Sequence, residues 1–317
     1  MRRPRCQGRL ATHLLMFVLA TSFVAQAEAQ SGGIRVFDEE PPTVVAGPLS
    51  YRIVATNPRL NRRVMGPVTA WVDGVPAEPV DSFCWNGEGS VPIDGTFVMV
   101  VNVEDEAGFV QAEWTDRNGE WVYQQQEFIH PEHLSGIRIG RSRDDVQTEI
   151  NYGVINNVYL HGDTAAGMPV LPTLFTHVAA WGPALVARNG ELFLNPFELP
   201  APAWQGHIMV SEGARDEDGR VLAVDGTVYD PSKGTYGAVD PRDLEVHLVF
   251  HDERFPRVGN IPPIFSFFYH LVFEDVNVTM IEGDATPPAI EPVTPSGPEQ
   301  EPILSRQPSP FPRGARR

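Results

Sequence analysis

Two similar segments near the end of the chain, residues 245–252 and 268–275, alternate between hydrophobic and polar positions. The first reads EVHLVFHD and the second reads FYHLVFED. Side chains alternate between the two faces of a β-strand, so each segment is predicted to form a strand with one apolar face. That face carries Leu248, Phe250, Leu271 and Phe273. The opposite face carries imidazole and carboxylate groups, from His247, His251, His270 and Glu274.

The two strands are predicted to pair as an antiparallel hairpin around residues 259–263. This run, GNIPP, favours a turn because Gly and Asn tolerate positive φ and proline cannot donate a ladder hydrogen bond. Centred there, the hairpin places His251 opposite His270 and His247 opposite Glu274. Cross-strand neighbours lie about 5 Å apart, so either pair could share a ligand. The alternative interpretation is a solvated sheet face without a ligand.

The rest of the chain also has a β pattern. From residue 34 to residue 128, short apolar stretches alternate with Pro, Gly, Asn and Asp, and no helical period is sustained. Asn-Gly pairs at residues 118–119 and 189–190 predict hairpin turns, because both central residues of a type I′ turn need positive φ. These patterns predict an all-β fold of two antiparallel β-sandwich-like domains.

Residues 95–114 contain an extended run, GTFVMVVNV, followed by a tight EDEAG turn and a second apolar run. This pattern resembles the closing hairpin of bacterial immunoglobulin-like repeats, with Phe109 where the family commonly has Asn. The resemblance implies an immunoglobulin-like β-sandwich in the N-terminal half. It implies nothing about ligands.

Four regions are predicted along the chain. Residues 1–29 resemble a secretory signal peptide, because arginines precede a short apolar run and a small-x-small motif. Residues 30–130 form the immunoglobulin-like domain and residues 131–285 a second all-β domain. Residues 286–317 contain nine prolines and few core-forming residues, so they are predicted to be a disordered Pro-rich tail.

The charge of the chain narrows the class of partner. The 317 residues carry a net charge of −17, and removal of the signal peptide takes away four arginines and Glu28, a net of +3, which leaves −20. This charge repels phosphate backbones, so no nucleic-acid partner is expected. No later segment has the roughly 20 continuous apolar residues of a membrane helix, so the mature chain is expected to lack a transmembrane segment and to be secreted or periplasmic.

Cysteine usage leaves the redox chemistry open. Cys84 is the only thiol after removal of the signal peptide, so no disulfide can form within the mature chain. It could be buried, pair between chains or react.

The histidines are the candidate metal ligands. His207 and Met209 would share one face of a strand about 6.6 Å apart, a spacing that suits a soft metal such as copper. The candidate ligand set for a transition metal ion is His207, His247, His251, His270 and Glu274. For each imidazole, the alternative is an ordinary hydrogen bond at a sheet surface.

Catalytic motifs are not evident. The chain shows no nucleophile elbow, phosphate-binding glycine loop, dinucleotide fingerprint or paired-cysteine motif. The first hypothesis is an exported, non-catalytic protein that binds a macromolecular or small-molecule partner. The alternative is a metal-binding protein or metal-dependent enzyme that uses the histidines. A weaker hypothesis is carbohydrate binding through Trp181, Trp204 or Tyr229.

Overall fold

The computed structural model describes residues 49–65, 70–72, 75–78, 86–130, 138–142, 145–149, 152–162, 164, 166, 170–194, 203–234, 236–251 and 267–281. The predicted signal peptide, the Pro-rich tail, Cys84 and the predicted turn at residues 259–263 lie outside these ranges. Every regular element in the described ranges is a β-strand. Correspondingly, they contain no helix of the length and apolarity needed to cross a membrane.

The described residues form fifteen strands. They are β1 Ser50–Met65, β2 Ala70–Val72, β3 Val75–Glu78, β4 Val91–Pro92, β5 Asp94–Asn102, β6 Ala107–Asp116, β7 Gly119–Gln125, β8 Arg138–Ser142, β9 Asp145–Glu149, β10 Val154–Leu160, β11 Leu174–Arg188, β12 Glu191–Leu192, β13 Trp204–Gly213, β14 Asp240–His251 and β15 Phe267–Met280.

Eight of these strands close into an antiparallel barrel. Each pairs with the next in the order β1, β5, β6, β7, β11, β13, β14 and β15, and β15 pairs with β1. The prediction of two sandwiches is therefore wrong, because strands from residues 30–130 and 131–285 share one sheet. Closure gives the edge strands of both halves a partner, which two separate sandwiches would not do. Local alternation is the same in both folds, so it could not distinguish them.

The hairpins within the barrel agree with the sequence patterns. Residues 95–114 form the β5–β6 hairpin, but as part of the barrel wall. At the second Asn-Gly pair, Asn189 and Gly190 have φ of 53° and 78° and connect β11 to β12. At the first pair, Gly119 already belongs to β7 and pairs with Asp116, so the turn lies one residue earlier than predicted.

The barrel interior is an apolar, aromatic-rich core to which all eight strands contribute. An eight-stranded barrel is just wide enough for side chains to fill or for one small ligand. Here the rings contact one another across the interior: Trp204 and Phe267 have centroids 4.6 Å apart, and Phe250 and Tyr269 stack at 5.1 Å. Its largest fully buried side chains include Trp121, Tyr123, Trp204, Phe97, Phe250, Phe267, Tyr269 and Phe273.

Part of the outer barrel wall is buried as well. The segment between β13 and β14, residues 214–239, lies against this wall and is called the cover segment. Its Val221 and Tyr229 pack with Trp181 and Met209 of the wall in a second apolar cluster. Tyr229 also donates a hydrogen bond to the carbonyl oxygen of Leu171, 3.2 Å away. The cover segment therefore excludes water from wall positions that would otherwise face solvent.

Candidate functional site

The hairpin of β14 and β15 forms as predicted, but its register differs by two residues. Val249 pairs with His270 and His251 with Phe268, so His251 does not lie opposite His270. A shift of two residues leaves every side chain on its predicted face, because the side-chain period of a strand is two. The two faces were therefore predicted correctly, and the cross-strand pairs were wrong.

Two of the three imidazoles on the polar face of this hairpin are shielded from solvent. His247 and His270 are each only 2% exposed, although both point away from the barrel interior. The cover segment lies over them, with Arg215 near its start. The interpretation of a solvated sheet face is thus wrong for these two residues. They are buried by the cover segment, which lies outside the two segments from which the hairpin was predicted.

A directed hydrogen-bond chain links the two histidines. Asn61 Nδ2 lies 2.9 Å from His270 Nδ1, and His270 Nε2 lies 3.1 Å from His247 Nδ1. With the Asn61 amide donating, His270 carries its proton on Nε2 and donates to His247. His247 in turn carries its proton on Nε2. Both imidazoles are then neutral and share one tautomer.

Asn61 reaches His270 because of an irregularity in β1. The pairing of β1 with β15 shifts between Leu60 and Arg62, so Asn61 is the extra residue of a β-bulge. Bulges re-aim side chains. The Leu60 side chain joins the interior core, whereas the Asn61 side chain, 1% exposed, meets the imidazole on the outer wall.

Glu245 lies at the other end of the chain. Its Oε1 accepts hydrogen bonds from the backbone amides of Ala214 and Arg215, at 2.7 and 2.9 Å. Its Oε2 lies 3.3 Å from His247 Nε2, yet neither of these two atoms has a hydrogen-bond partner among the described residues. Glu245 therefore fixes the start of the cover segment to the wall and keeps one oxygen beside His247.

Arg215 completes the cluster from the cover segment. Its side chain is 3% exposed, and Nε lies 3.5 Å from Glu245 Oε2. In the described part of the chain, none of its three guanidinium nitrogens has a hydrogen-bond acceptor. A buried polar group without a partner is costly, by about 1–3 kcal/mol and more when it is charged. Arg215 is the least satisfied group in this cluster.

A second ion pair borders the cluster. Arg59 Nε donates to Glu274 Oε1 at 2.7 Å, while Arg59 Nη2 donates to the carbonyl oxygen of Glu217 at 2.8 Å. Arg59 thus connects β1, β15 and the cover segment. Nearby, a β-carbon on Gly87 would collide with the carbonyl oxygen of Gly219, so glycine permits the close approach of residues 86–90 to the cover.

Burial sets the protonation states of the site. It lowers the pKa of His247 well below its ordinary value, and Arg215 adds to this effect. It lowers the pKa of His270 in the same way, with contributions from His247 and Arg215. Burial raises the pKa of Glu245, whereas the charge of Arg215 and the two backbone hydrogen bonds oppose this rise. The site therefore contains two neutral imidazoles beside an arginine and a carboxyl group.

The structure brings together two of the five predicted metal ligands, His247 and His270. His207 stacks on Trp181 at 4.9 Å and its Nδ1 lies 3.2 Å from the carbonyl oxygen of Ala180. His251 stacks on Phe268, with ring centroids 6.1 Å apart, and Glu274 pairs with Arg59. Over the described ranges, no group of three or more His, Cys, Asp or Glu side chains is arranged to hold a metal ion. Metal binding stays a prediction.

Three residues of the cluster were missed from the sequence: Asn61, Arg215 and Glu245. Glu245 had a usable signal, because it lies two residues before His247 on the same strand face. Asn61 had none, since its position depends on the bulge. Arg215 lies in an irregular segment whose packing no local pattern specifies.

The three predicted carbohydrate-binding aromatics are buried. Trp204 is 1% exposed, Tyr229 2% and Trp181 7%, so each serves a core.

Comparisons with known proteins add no assignment. No family model matches the chain, and no curated protein or solved structure matches it.

Proposed function

We propose that this chain is an exported, non-catalytic binding protein that holds a small polar molecule between the barrel wall and the cover segment. Export rests on the sequence pattern of residues 1–29. The binding role rests on the cluster of Arg215, Glu245, His247 and His270. N-terminal sequencing of the exported protein, with a first residue near Gln30, tests the export part.

The barrel interior is a poor place for the ligand. Aromatic rings from several strands contact one another there, and they belong to one continuous apolar core. A ligand in this position would displace close-packed side chains. The outer wall beneath the cover segment instead offers polar atoms removed from water.

The observation that carries the proposal is the guanidinium of Arg215. It is buried, and its nitrogens have no hydrogen-bond acceptor among the described residues. The nearby Glu245 supplies charge at 3.5 Å but no hydrogen bond. A bound molecule with acceptor oxygens would satisfy these donors and recover the cost of burying them.

Thermal unfolding of the mature protein with a panel of small probes tests this function. The panel contains acetamide, acetate, acetamidinium, ethylene glycol and glucose. At least one probe is expected to raise the Tm of the wild type, because a ligand of the folded state stabilises it by mass action. The rise in Tm should disappear in Arg215→Met. It should also disappear in Arg215→Lys, because lysine keeps the positive charge but lacks the planar guanidinium with its several N–H donors.

Arg242→Met is the matched control, because Arg242 has an 89% exposed side chain that pairs with the nearby Asp240. It should respond to the probe as the wild type does. If ordered water alone satisfies Arg215, no probe will stabilise the wild type, and the proposal is wrong. Equal stabilisation of wild type and Arg215→Met would also overturn it.

A further inference from the structure

The unsatisfied atoms of the cluster define the chemistry of the ligand. Around Arg215, within the described residues, they are donors on one side, the Arg215 nitrogens and His247 Nε2, and an acceptor on the other, Glu245 Oε2. The remaining unsatisfied atom of the cluster, the acceptor Asn61 Oδ1, lies at the far end of the hydrogen-bond chain, beside His270. Because Arg215 Nε and Glu245 Oε2 are 3.5 Å apart, one small group can contact both. Such a group needs an acceptor oxygen beside a donor N–H or O–H.

The charges around the cluster define the charge of the ligand. Among the described residues, Arg59 pairs with the carboxyl group of Glu274 and Arg215 with that of Glu245, and the imidazoles of His247 and His270 are neutral. In their ionised forms, these two described pairs offset each other before any ligand enters. A bound anion or cation would leave a net charge in a region shielded from water, which is unfavourable.

We infer that the ligand bound at Arg215 is a neutral molecule with an acceptor oxygen and a hydrogen-bond donor on adjacent atoms, as in a carboxamide or a vicinal diol. Its oxygen accepts from the Arg215 guanidinium and its N–H or O–H donates to Glu245 Oε2. This inference rests on the proposed function and specifies the class of ligand for the same site.

The remaining contacts fit this arrangement. Glu245 Oε1 is held by two backbone amides, so the carboxylate has a fixed orientation with Oε2 available. The Asn61–His270–His247 chain ends 3.3 Å from the same oxygen and leaves the His247 Nε2 proton without an acceptor among the described residues. A second acceptor atom on the ligand would take this proton.

Three probes of nearly the same shape and different charge test the inference. They are acetamide, acetate and acetamidinium, and their binding to the mature protein is measured by ligand-observed NMR titration at pH 7.5. A four-atom probe binds no more tightly than about tens of micromolar, so millimolar probe concentrations are needed. Acetamide is expected to bind at least about tenfold more tightly than either ion.

Variants that change the charge of the site should change the preference among the three probes, one toward the anion and the other toward the cation. Glu245→Gln leaves the site with one extra positive charge but keeps an oxygen for the two backbone amides, so acetate should become the preferred probe. Arg215→Met leaves one extra negative charge and should favour acetamidinium over acetate. Glu120→Gln, at an exposed position of β7, is the matched control and should keep the wild-type order.

The results separate the two proposals. If acetate or acetamidinium binds the wild type most tightly in an Arg215-dependent way, the neutral ligand is wrong and the binding function stands. Unchanged order in Glu245→Gln would equally overturn the inference. If no probe binds in an Arg215-dependent way, both the inference and the proposed function fail. Ethylene glycol, titrated alongside acetamide, distinguishes a diol from an amide as the preferred source of this chemistry.

Discussion

The inner face of the β14–β15 hairpin and the part of its outer face around Glu245, His247 and His270 are buried to nearly the same degree but for different physical reasons. Leu248, Phe250 and Tyr269 face the barrel core and are 0% exposed. Glu245 and His270, on the outer face, are 2% exposed. Burial of the inner face stabilises the fold by roughly 25 cal/mol for each Å² of apolar surface removed from water. Burial of the outer face removes charged and polar groups from water, which costs free energy that the contacts among these groups must offset. Burial of this face is therefore weak evidence that it stabilises the fold.

This difference supports the placement of the proposed site on the outer face. Apolar residues of similar volume at the outer positions would stabilise the fold at least as well as the present polar groups. The cost is tolerated at Arg215 in particular, whose donors lack acceptors among the described residues. We interpret the inner face as structural and the outer face as the functional part of the hairpin.

Removal of Glu245 is the most severe way to break the outer face. Glu245→Leu leaves Arg215 buried without its counter-charge and deprives two backbone amides of their acceptor. The loss of one partner of a buried pair costs about 3–5 kcal/mol, and each unsatisfied amide adds about 1–3 kcal/mol. We expect the free energy of unfolding to fall by about 5 kcal/mol or more in urea titrations.

The double variant Glu245→Leu with Arg215→Met is the control for this prediction. It removes both charges and should recover a large part of the loss, although the two backbone amides stay unsatisfied. Equal unfolding free energies for the single and double variants would show that the charge pair does not determine the effect.

Phe250→Ala tests the inner face of the same strand. The Phe250 ring contacts Trp114, Tyr123, Trp204, Phe267 and Tyr269. Truncation leaves a cavity among these rings and should lower the free energy of unfolding by about 3–5 kcal/mol in urea titrations.

Unlike the Glu245 variants, Phe250→Ala should leave the preference among acetamide, acetate and acetamidinium unchanged. A matched surface control is Val224→Ala, at a side chain 72% exposed, which should change stability by less than about 0.5 kcal/mol. A changed probe order in Phe250→Ala would contradict the division of the hairpin into a structural and a functional face.

The two faces of this hairpin could be predicted from the sequence, whereas its register, the segment that covers it and the closure of the barrel could not. Alternation of Leu248 and Phe250 with His247 and His251 assigns the faces because it is a local property. Register depends on the partner strand, and a slip of two residues leaves the alternation unchanged. The burial of His247 depends on the cover segment, whose packing has no periodic pattern. Barrel closure depends on the pairing of β1 with β15, more than 200 residues apart in the chain.

The pH dependence of stability is the mildest probe of the outer face. His247 and His270 have lowered pKa values in the folded protein, mainly through burial. Their contribution to stability is fully present above the ordinary pKa of about 6.5 and is lost as the pH falls toward the folded values, because the unfolded chain then binds more protons. Each histidine can contribute up to about 1.4 kcal/mol per pH unit.

Glu245 acts in the opposite direction. Its pKa is raised by burial, so between the ordinary value and the raised one the folded state takes up a proton first, and acidification favours folding there. The wild-type curve should therefore fall below pH 6.5, and it should fall less steeply wherever Glu245 takes up its proton, because one carboxyl group offsets only one of the two histidines. Urea titrations of wild type and His270→Gln across pH 5–8 measure this.

His270→Gln should lower stability at every pH through its lost hydrogen bonds, yet its slope below pH 6.5 should be shallower by up to about 1.4 kcal/mol per pH unit. Parallel curves would show that His270 does not stay neutral in the folded protein, and the charge balance around Arg215 would have to be counted again.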